Sequence, residues 1–188
     1  GSKKNIKDLA EAKAIASEIG YPILIKATNG GGGRGIKKVF KEKELKENLS
    51  LARKEAVQSF GNDEVYIEKL IENPRHIEVQ IIGDSFGNII HVGERECSIQ
   101  RRSQKIIEEC PSPAISDEER KRICDLTIEA FNRVGYKSLG TVEYLYSNGE
   151  FYFIEMNTRL QVEHTITEEV YNIDIVKEQI FIASGEKI

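Results

Sequence analysis

The chain has 188 residues, enough for one domain or for two small lobes sharing a cleft. Hydrophobic residues make up 39% and charged residues 31%, which supplies a core and excludes wholesale disorder. Lys and Arg number 27 against 31 Asp and Glu, a net −4 that argues against a nucleic-acid footprint while leaving room for a local phosphate pocket.

Ile6, Leu9, Ala10, Ala12, Ala16 and Ile19 line one face of a predicted first helix, stopped by Gly20. Pro22 opens a strand, Ile23-Leu24-Ile25, ending at Lys26, and a second strand is expected over Ile36 to Phe40. Residues 29 to 35, Asn-Gly-Gly-Gly-Gly-Arg-Gly, then join two strands instead of feeding a helix. Residues 42 to 58 read as a helix with Leu45, Leu49, Leu51, Ala52 and Val57 on its packed side and a solvated Lys/Glu face. Val65 to Ile71 reads as a short strand.

The period then changes to two. Ile77, Val79 and Ile81 alternate with His76, Glu78 and Gln80, predicting a strand with one covered face. Gly83-Asp84 and Gly87-Asn88 punctuate a hairpin into Ile89 to Val92. The clearest helix follows Ser116, with Asp117 and Glu118 in its first turn. Ile123, Leu126, Ala130, Phe131 and Val134 form its expected buried side, and Gly135 its stop. Strands at Thr141 to Tyr146 and Phe151 to Met156 are joined by Asn148-Gly149, and Ile173 to Ile182 reads as a last helix. The expected architecture is α+β, with mostly antiparallel sheets and packed helices, in two lobes spanning 1–67 and 68–188. No segment approaches the roughly 20 apolar residues of a membrane span. Cys97, Cys110 and Cys124 lack metal-type spacing, and no signal-peptide region opens the chain, so a reducing, cytoplasmic setting is expected.

Three segments could carry chemistry. Backbone N–H groups of Gly30 to Gly35 can form a concavity for phosphate, with Arg34 and Lys26 adding charge. The loop lacks the Gly-Lys-Ser/Thr ending of a P-loop, and a plain glycine hairpin is the competing reading. Glu143, Glu155 and Asn157 lie on two strands that a hairpin would pair, an oxygen set suited to magnesium, or else ordinary hydrogen-bonding residues. Arg159, Gln161 and Glu163 share one side if the strand continues, combining an anion clamp, an orienting amide and a proton acceptor. His164 has the opposite parity and reads as structural. The cations of Gln100-Arg101-Arg102-Ser103-Gln104-Lys105 fit a solvated loop, a phosphate contact or a nucleic-acid patch. No histidine has a zinc companion set, and Cys97 lacks a histidine partner for nucleophilic chemistry.

Taken in order, these segments resemble the ATP-grasp region of biotin carboxylases, including the carboxylase subunits or domains of pyruvate and acyl-CoA carboxylases. The resemblance covers essentially the whole chain. It rests on Tyr21-Pro22-Ile23-Leu24-Ile25-Lys26-Ala27, the glycine loop, Glu72-Asn73-Pro74-Arg75-His76-Ile77-Glu78, Cys97 to Glu109, and Phe153 to His164. It implies two lobes gripping ATP. Nucleotide contacts are expected from Lys26, Gly32, Gly33, Glu68, Lys69, Ile71, His76, Gln100, Leu145 and Ile154. Magnesium or manganese is expected at Glu143 and Glu155, with Asn157 beside them. Bicarbonate is expected at Lys105, Arg159, Gln161, the Val162 backbone and Glu163, with Glu163 as general base. The implied reaction activates bicarbonate as carboxyphosphate and passes CO₂ to biotin carried on a separate domain or subunit, for use by a carboxyltransferase.

The implied parent is a homodimer with further domains on both sides of this stretch, so the chain is expected to be its central part, with Gly1-Ser2 a cloning remnant. No nucleic-acid or membrane partner is implied. Another ATP-grasp ligase, or a nucleotide-binding module without turnover, are the alternatives. Ser103 stands where the family pattern has histidine, Asn29 where glycine is common, and Thr165 where proline is usual.

Overall fold

The Asp8 side chain accepts from the Glu11 N–H and starts α1 (Leu9–Ile19) in the computed structural model, which describes residues 1–2, 4–30 and 35–188. Ile6 precedes the helix; its N–H donates to the Val65 carbonyl at 2.8 Å and its side chain joins the core. Next come β1 (Ile23–Ala27), β2 (Ile36–Val39), α2 (Glu42–Phe60) and β3 (Val65–Lys69). The three strands pair antiparallel in the order β2-β1-β3. Ile23, Ile25, Val39 and Ile67 pack against Leu45 and Leu49 of α2. The inward row of α2 is Leu45, Leu49, Ala52 and Ala56, whereas Leu51 and Val57, expected inside, are exposed. At about 100° per residue those two positions fall off the row that recurs every three to four residues.

The loop between β1 and β2 is closed by the Ala27 N–H donating to the Gly35 carbonyl at 3.0 Å. Gly35 has φ 72°, and a Cβ there would lie 2.9 Å from that of Ala27, so a side chain fits poorly.

The second part of the chain holds β4 (Arg75–Gly83), β5 (Ile89–Arg101), β6 (Gln104–Glu109), α3 (Asp117–Val134), β7 (Ser138–Ser147), β8 (Glu150–Asn157), α4 (His164–Tyr171) and α5 (Ile175–Ala183). Its sheet is antiparallel in the order β6-β5-β4-β7-β8. The two compact units are Gly1–Glu72 and Asn73–Ile188. A division at 67/68 would cut β3, whose Glu68 and Lys69 pair with Leu24 and Ile23.

Unlike the expected single covered face, β4 is buried on both sides. Val79, Ile81, Val142 and Tyr144 pack on Ile123 and Cys124 of α3. On the other face, Ile82, Val92 and Leu139 meet Ile175 and Ile182 of α5. A reciprocal cap between Ser116 and Glu119 starts α3. Leu126, Ala130 and Val134 are exposed and Ile123, Cys124 and Thr127 buried, a rotation of the expected face. The Thr127 hydroxyl explains its tolerance there, bonding the Ile123 carbonyl at 2.7 Å and the Tyr144 hydroxyl at 2.8 Å.

Two elements were not expected. The strand entering at Ile89 continues to Arg101 and turns back as β6 through Arg102 and Ser103, both at positive φ. After β8 the strand stops at Asn157, and α4 starts at His164. No helix among the described residues is long and apolar enough to cross a membrane.

Candidate active site

Two polar rungs cross the face of the larger sheet opposite α3. In the first, Arg95 of β5, Glu78 of β4, Glu143 of β7 and Glu155 of β8 are successive register partners. The next rung holds Gln80, Thr141 and Asn157. Directly opposed residues share a face, so three carboxylates line up, an arrangement that repels unless cations intervene. Protein cations meet the inner two. Arg95 Nε donates to Glu78 Oε2 at 3.0 Å. Lys105 of β6 pairs with Glu78 and reaches Glu143 Oε1 at 2.9 Å and Glu163 Oε1 at 2.5 Å. His76 Nε2 lies 2.9 Å from Glu143 and 3.1 Å from Glu78.

Charge coupling shows in the ionisation of each group. Burial disfavours the His76 imidazolium, but Glu143 and Glu78 raise it to about 9. Burial likewise opposes ionisation of Glu143, yet His76 and Lys105 hold it down to about 2. The Lys105 ammonium is raised above its ordinary value because Glu78, Glu163 and Glu143 outweigh its burial. Glu78 is lowered against its burial by His76, Arg95 and Lys105.

The segment after β8 completes the cluster. Asn157 Nδ2 and Gln161 Nε2 donate to Glu143 Oε1 at 2.8 and 3.0 Å. Gln161 and Glu163 are buried, while Val162 between them is 89% exposed. The alternation survives, but not as a strand: residues 158–163 turn, and Glu163 occupies the N-cap position of α4. Arg159, expected beside Gln161 and Glu163, is instead exposed at the margin, with Nη2 3.4 Å from Asn157 Oδ1. A strand ending at Asn157 no longer dictates its parity. His164 Nδ1 lies 2.7 Å from the Gln161 carbonyl oxygen, a structural contact.

Other singled-out residues take separate places. Gln100 Nε2 approaches His76 Nδ1 at 3.3 Å and donates to the Cys97 carbonyl at 2.8 Å. Leu145 is the register partner of His76, and Ile154 sits where the β7–β8 pairing shifts between Glu143 and Tyr144. Glu155 is exposed at the outer end of its rung. In the first unit, Lys26 Nζ donates to Glu68 Oε2 at 3.1 Å and lies 5.5 Å from the Tyr66 ring centre. Glu68 and its own hydrogen bond keep the Lys26 ammonium raised despite burial. Lys69 Nζ donates to the Gly20 and Tyr21 carbonyls, each at 3.0 Å. Ile71 follows β3 and is half-buried. Gly31, Gly32, Gly33 and Arg34 lie outside the described residues.

Sequence reasoning missed Arg95, and left Glu78 without a role. Their signal was the triplet Glu94-Arg95-Glu96 inside a strand run, since three consecutive charges in a central strand need partners on both faces. Glu94 and Glu96 face away from the site. Glu94 accepts from Arg120 Nε at 2.7 Å, and Glu96 from the Ser112 hydroxyl at 2.6 Å.

An outer end built of Glu143, Glu155 and Asn157 is an oxygen donor set, and that chemistry fits a hard divalent cation such as magnesium. The described residues form two antiparallel sheets and five helices, and the chain has the ATP-grasp fold. It is 52% identical, with TM-score 0.94, to the biotin carboxylase domain dimer of Hydrogenobacter thermophilus 2-oxoglutarate carboxylase in complex with MgADP, ADP and bicarbonate; the match covers 100% of this chain and 42% of that one. Against a Campylobacter jejuni biotin carboxylase–β,γ-ATP complex the values are 51% and 0.95, with 100% and 42% covered. Residues 1–188 match the family described as carbamoyl-phosphate synthase L chain, ATP binding domain, and the chain belongs to that family. Biotin carboxylase of Allochromatium vinosum is 56% identical over 174 residues, 93% of this chain and 39% of the relative. Biotin carboxylase of Pseudomonas aeruginosa is 53% identical over 182 residues, 97% of this chain and 40% of the relative. The chain thus spans about two-fifths of the length of these curated relatives.

Proposed function

We propose that the whole protein carboxylates carrier-bound biotin, using ATP to activate bicarbonate. The observation that carries this reading is the Glu163 carboxylate held 2.5 Å from Lys105, beside Glu143, Asn157 and Gln161. The 51–56% identity to biotin carboxylases supports it.

In this reading a bicarbonate oxygen attacks the γ-phosphorus of ATP, and ADP leaves. Glu163 takes the bicarbonate proton, and Lys105 steadies the charge left on its oxygens. Arg159 clamps the anion from the margin, aided by Gln161 and the Val162 main chain. Carboxyphosphate then breaks to CO₂ and phosphate; that phosphate takes the biotin ureido N–H proton, and the nitrogen bonds the CO₂ carbon as one C=O pair moves onto oxygen. Glu143 and Glu155, with Asn157 beside them, would hold magnesium, which supplies neutralisation of phosphate charge. Lys26, Gly32, Gly33, Glu68, Lys69, Ile71, His76, Gln100, Leu145 and Ile154 are assigned to the nucleotide. A biotin carrier and a carboxyltransferase are the proposed partners, and the whole protein is proposed to be a homodimer. Its proposed setting is cytoplasmic, consistent with three unpaired cysteines.

The test is ATP consumption by the whole protein with its biotin carrier. Carboxybiotin formed in step with bicarbonate-dependent ADP release is expected. ATP use driven by a different carboxylate or amine, with no carboxybiotin, would assign another ligase reaction.

A further inference from the structure

Arg95 is fully buried, and its partners account for every hydrogen it can donate. Nε donates to Glu78 Oε2 at 3.0 Å; Nη1 donates to Gln80 Oε1 at 2.9 Å and Thr167 Oγ1 at 3.3 Å. Nη2 donates to Thr141 Oγ1 at 3.1 Å and Gln161 Oε1 at 3.2 Å. A guanidinium has five N–H donors in one plane, and here all five meet side-chain oxygens. Those oxygens come from β4, β7, α4 and the turn before α4, segments up to 72 residues away in sequence.

Two of the five contacts fix something the proposed chemistry uses. A primary amide can be turned end for end, and its hydrogen bonds decide which end is which. Because Gln161 Oε1 accepts from Arg95, its Nε2 must face Glu143 Oε1, where it donates at 3.0 Å. Reversed, Gln161 would set an oxygen against a carboxylate oxygen. Glu78 is oriented in the same way: Oε2 is taken by Arg95, so Oε1 is left for Lys105 and His76. Both constraints converge on Lys105 and Glu143.

We propose that Arg95 is a positioning residue for bicarbonate activation: its planar fork selects the amide orientation of Gln161 and the carboxylate orientation of Glu78, and so sets where Lys105 and Glu163 stand. It touches neither nucleotide nor bicarbonate in this account. The inference rests on the function proposed above. A lysine in its place keeps the charge but offers three donors from one point, too few and wrongly spread to hold both Gln161 and Glu78.

The test uses the whole protein with Arg95→Lys, Gln161→Ala and the double variant, assayed for bicarbonate-dependent ATP turnover. Displacement of a reacting group by about 1 Å costs on the order of 100-fold, so Arg95→Lys is expected to lower kcat by roughly 10- to 100-fold. The KM for ATP should rise by less than kcat falls, because Arg95 touches none of the residues assigned to the nucleotide and reaches His76 and Glu143 only through Glu78 and Gln161. Since Arg95 acts in part through Gln161, the double variant should fall well short of the product of the two single losses. Losses that multiply, or an equal rise in the KM for ATP, would overturn the proposal. Should Arg95→Lys not fold, Thr167→Val leaves every charge in place: a several-fold loss of kcat is expected, and unchanged kinetics overturns the idea. If the unsubstituted protein has no bicarbonate-dependent turnover, the functional reading fails by itself. Arg95 is then judged by the crystal structure of Arg95→Lys, where an undisturbed Gln161–Glu143 contact would overturn its positioning role.

Discussion

Lys105 and Glu163 meet at 2.5 Å although 58 residues separate them. Lys105 arrives on the edge strand β6, and Glu163 on the turn that caps α4. Neither element has an apolar stripe that would announce it, yet together they close the polar face of the larger sheet. The pair anchors Glu163, and a carboxylate fixed within reach of its substrate is what the proposed general-base role calls for.

Glu163→Gln keeps the size of that side chain and removes its charge. Positioned acid–base groups contribute about 100- to 10,000-fold in rate, and bicarbonate-dependent turnover is expected to fall within that range. Nucleotide affinity, measured by calorimetry, should change little, because Glu78 and Glu143 remain to pair with Lys105.

Arg159 offers the opposite separation of stability from activity. It is exposed and, among the described residues, held only by loose contacts to Leu160 and Asn157, so Arg159→Ala should alter unfolding free energy by no more than about 0.5 kcal/mol. Turnover should nevertheless fall roughly 100-fold if its fork clamps the reacting anion, and Arg159→Lys should restore only part of it. Full restoration by lysine would reduce its role to attraction at a distance.

What could be read beforehand divides along physical lines. Helices such as α2 and α3 were legible because capping and helix-forming residues act locally, but their inward faces depend on tertiary partners. Thr127 is buried because Tyr144 offers it a hydrogen bond, while Leu126 beside it stays in solvent. The β5–β6 hairpin was hidden because Arg102 and Ser103 adopt positive φ without the Asn-Gly that marks such turns, unlike Asn148-Gly149. Strand pattern and alternation singled out Glu143, Gln161 and Glu163, and the resemblance to biotin carboxylases singled out Lys105; the fold brings the four together. Neither the pattern nor the resemblance revealed Arg95, whose five partners become neighbours only once β4, β5, β7 and α4 have assembled.

The hairpin between β4 and β5 should carry a recognisable acid dependence. Burial opposes ionisation of Asp84, but hydrogen bonds from the Asn88 side chain and from the Asn88, Phe86 and Ile188 N–H groups hold it down to about 2, against 3.8 ordinarily. A lowered carboxylate contributes stability that is complete above the unfolded value and lost as pH falls through the folded one. Unfolding monitored by denaturant should therefore show stability declining between about pH 4 and pH 2. Asp84→Asn should flatten part of that decline; an unchanged slope would remove Asp84 from its cause.

Gly93 sits in β5 at φ 67°, with the Tyr171 hydroxyl 1.9 Å from where a Cβ would lie. Gly87 has φ 89° and open space around it. Backbone strain alone costs about 1–3 kcal/mol at such positions, so Gly87→Ala should lose an amount in that range. Gly93→Ala should lose measurably more, because α4 must shift away from β5. Equal losses in thermal unfolding would mean that Tyr171 yields without cost.

In the proposed reaction bicarbonate itself attacks ATP. Bicarbonate labelled with ¹⁸O distinguishes this from every route in which water or another acceptor takes the phosphoryl group. If carboxyphosphate forms, the attacking oxygen stays on phosphorus when CO₂ departs. The whole protein, supplied with ATP, magnesium, its biotin carrier and labelled bicarbonate, should then release inorganic phosphate carrying one labelled oxygen. Phosphate released without label, in step with ATP consumption, would contradict the account.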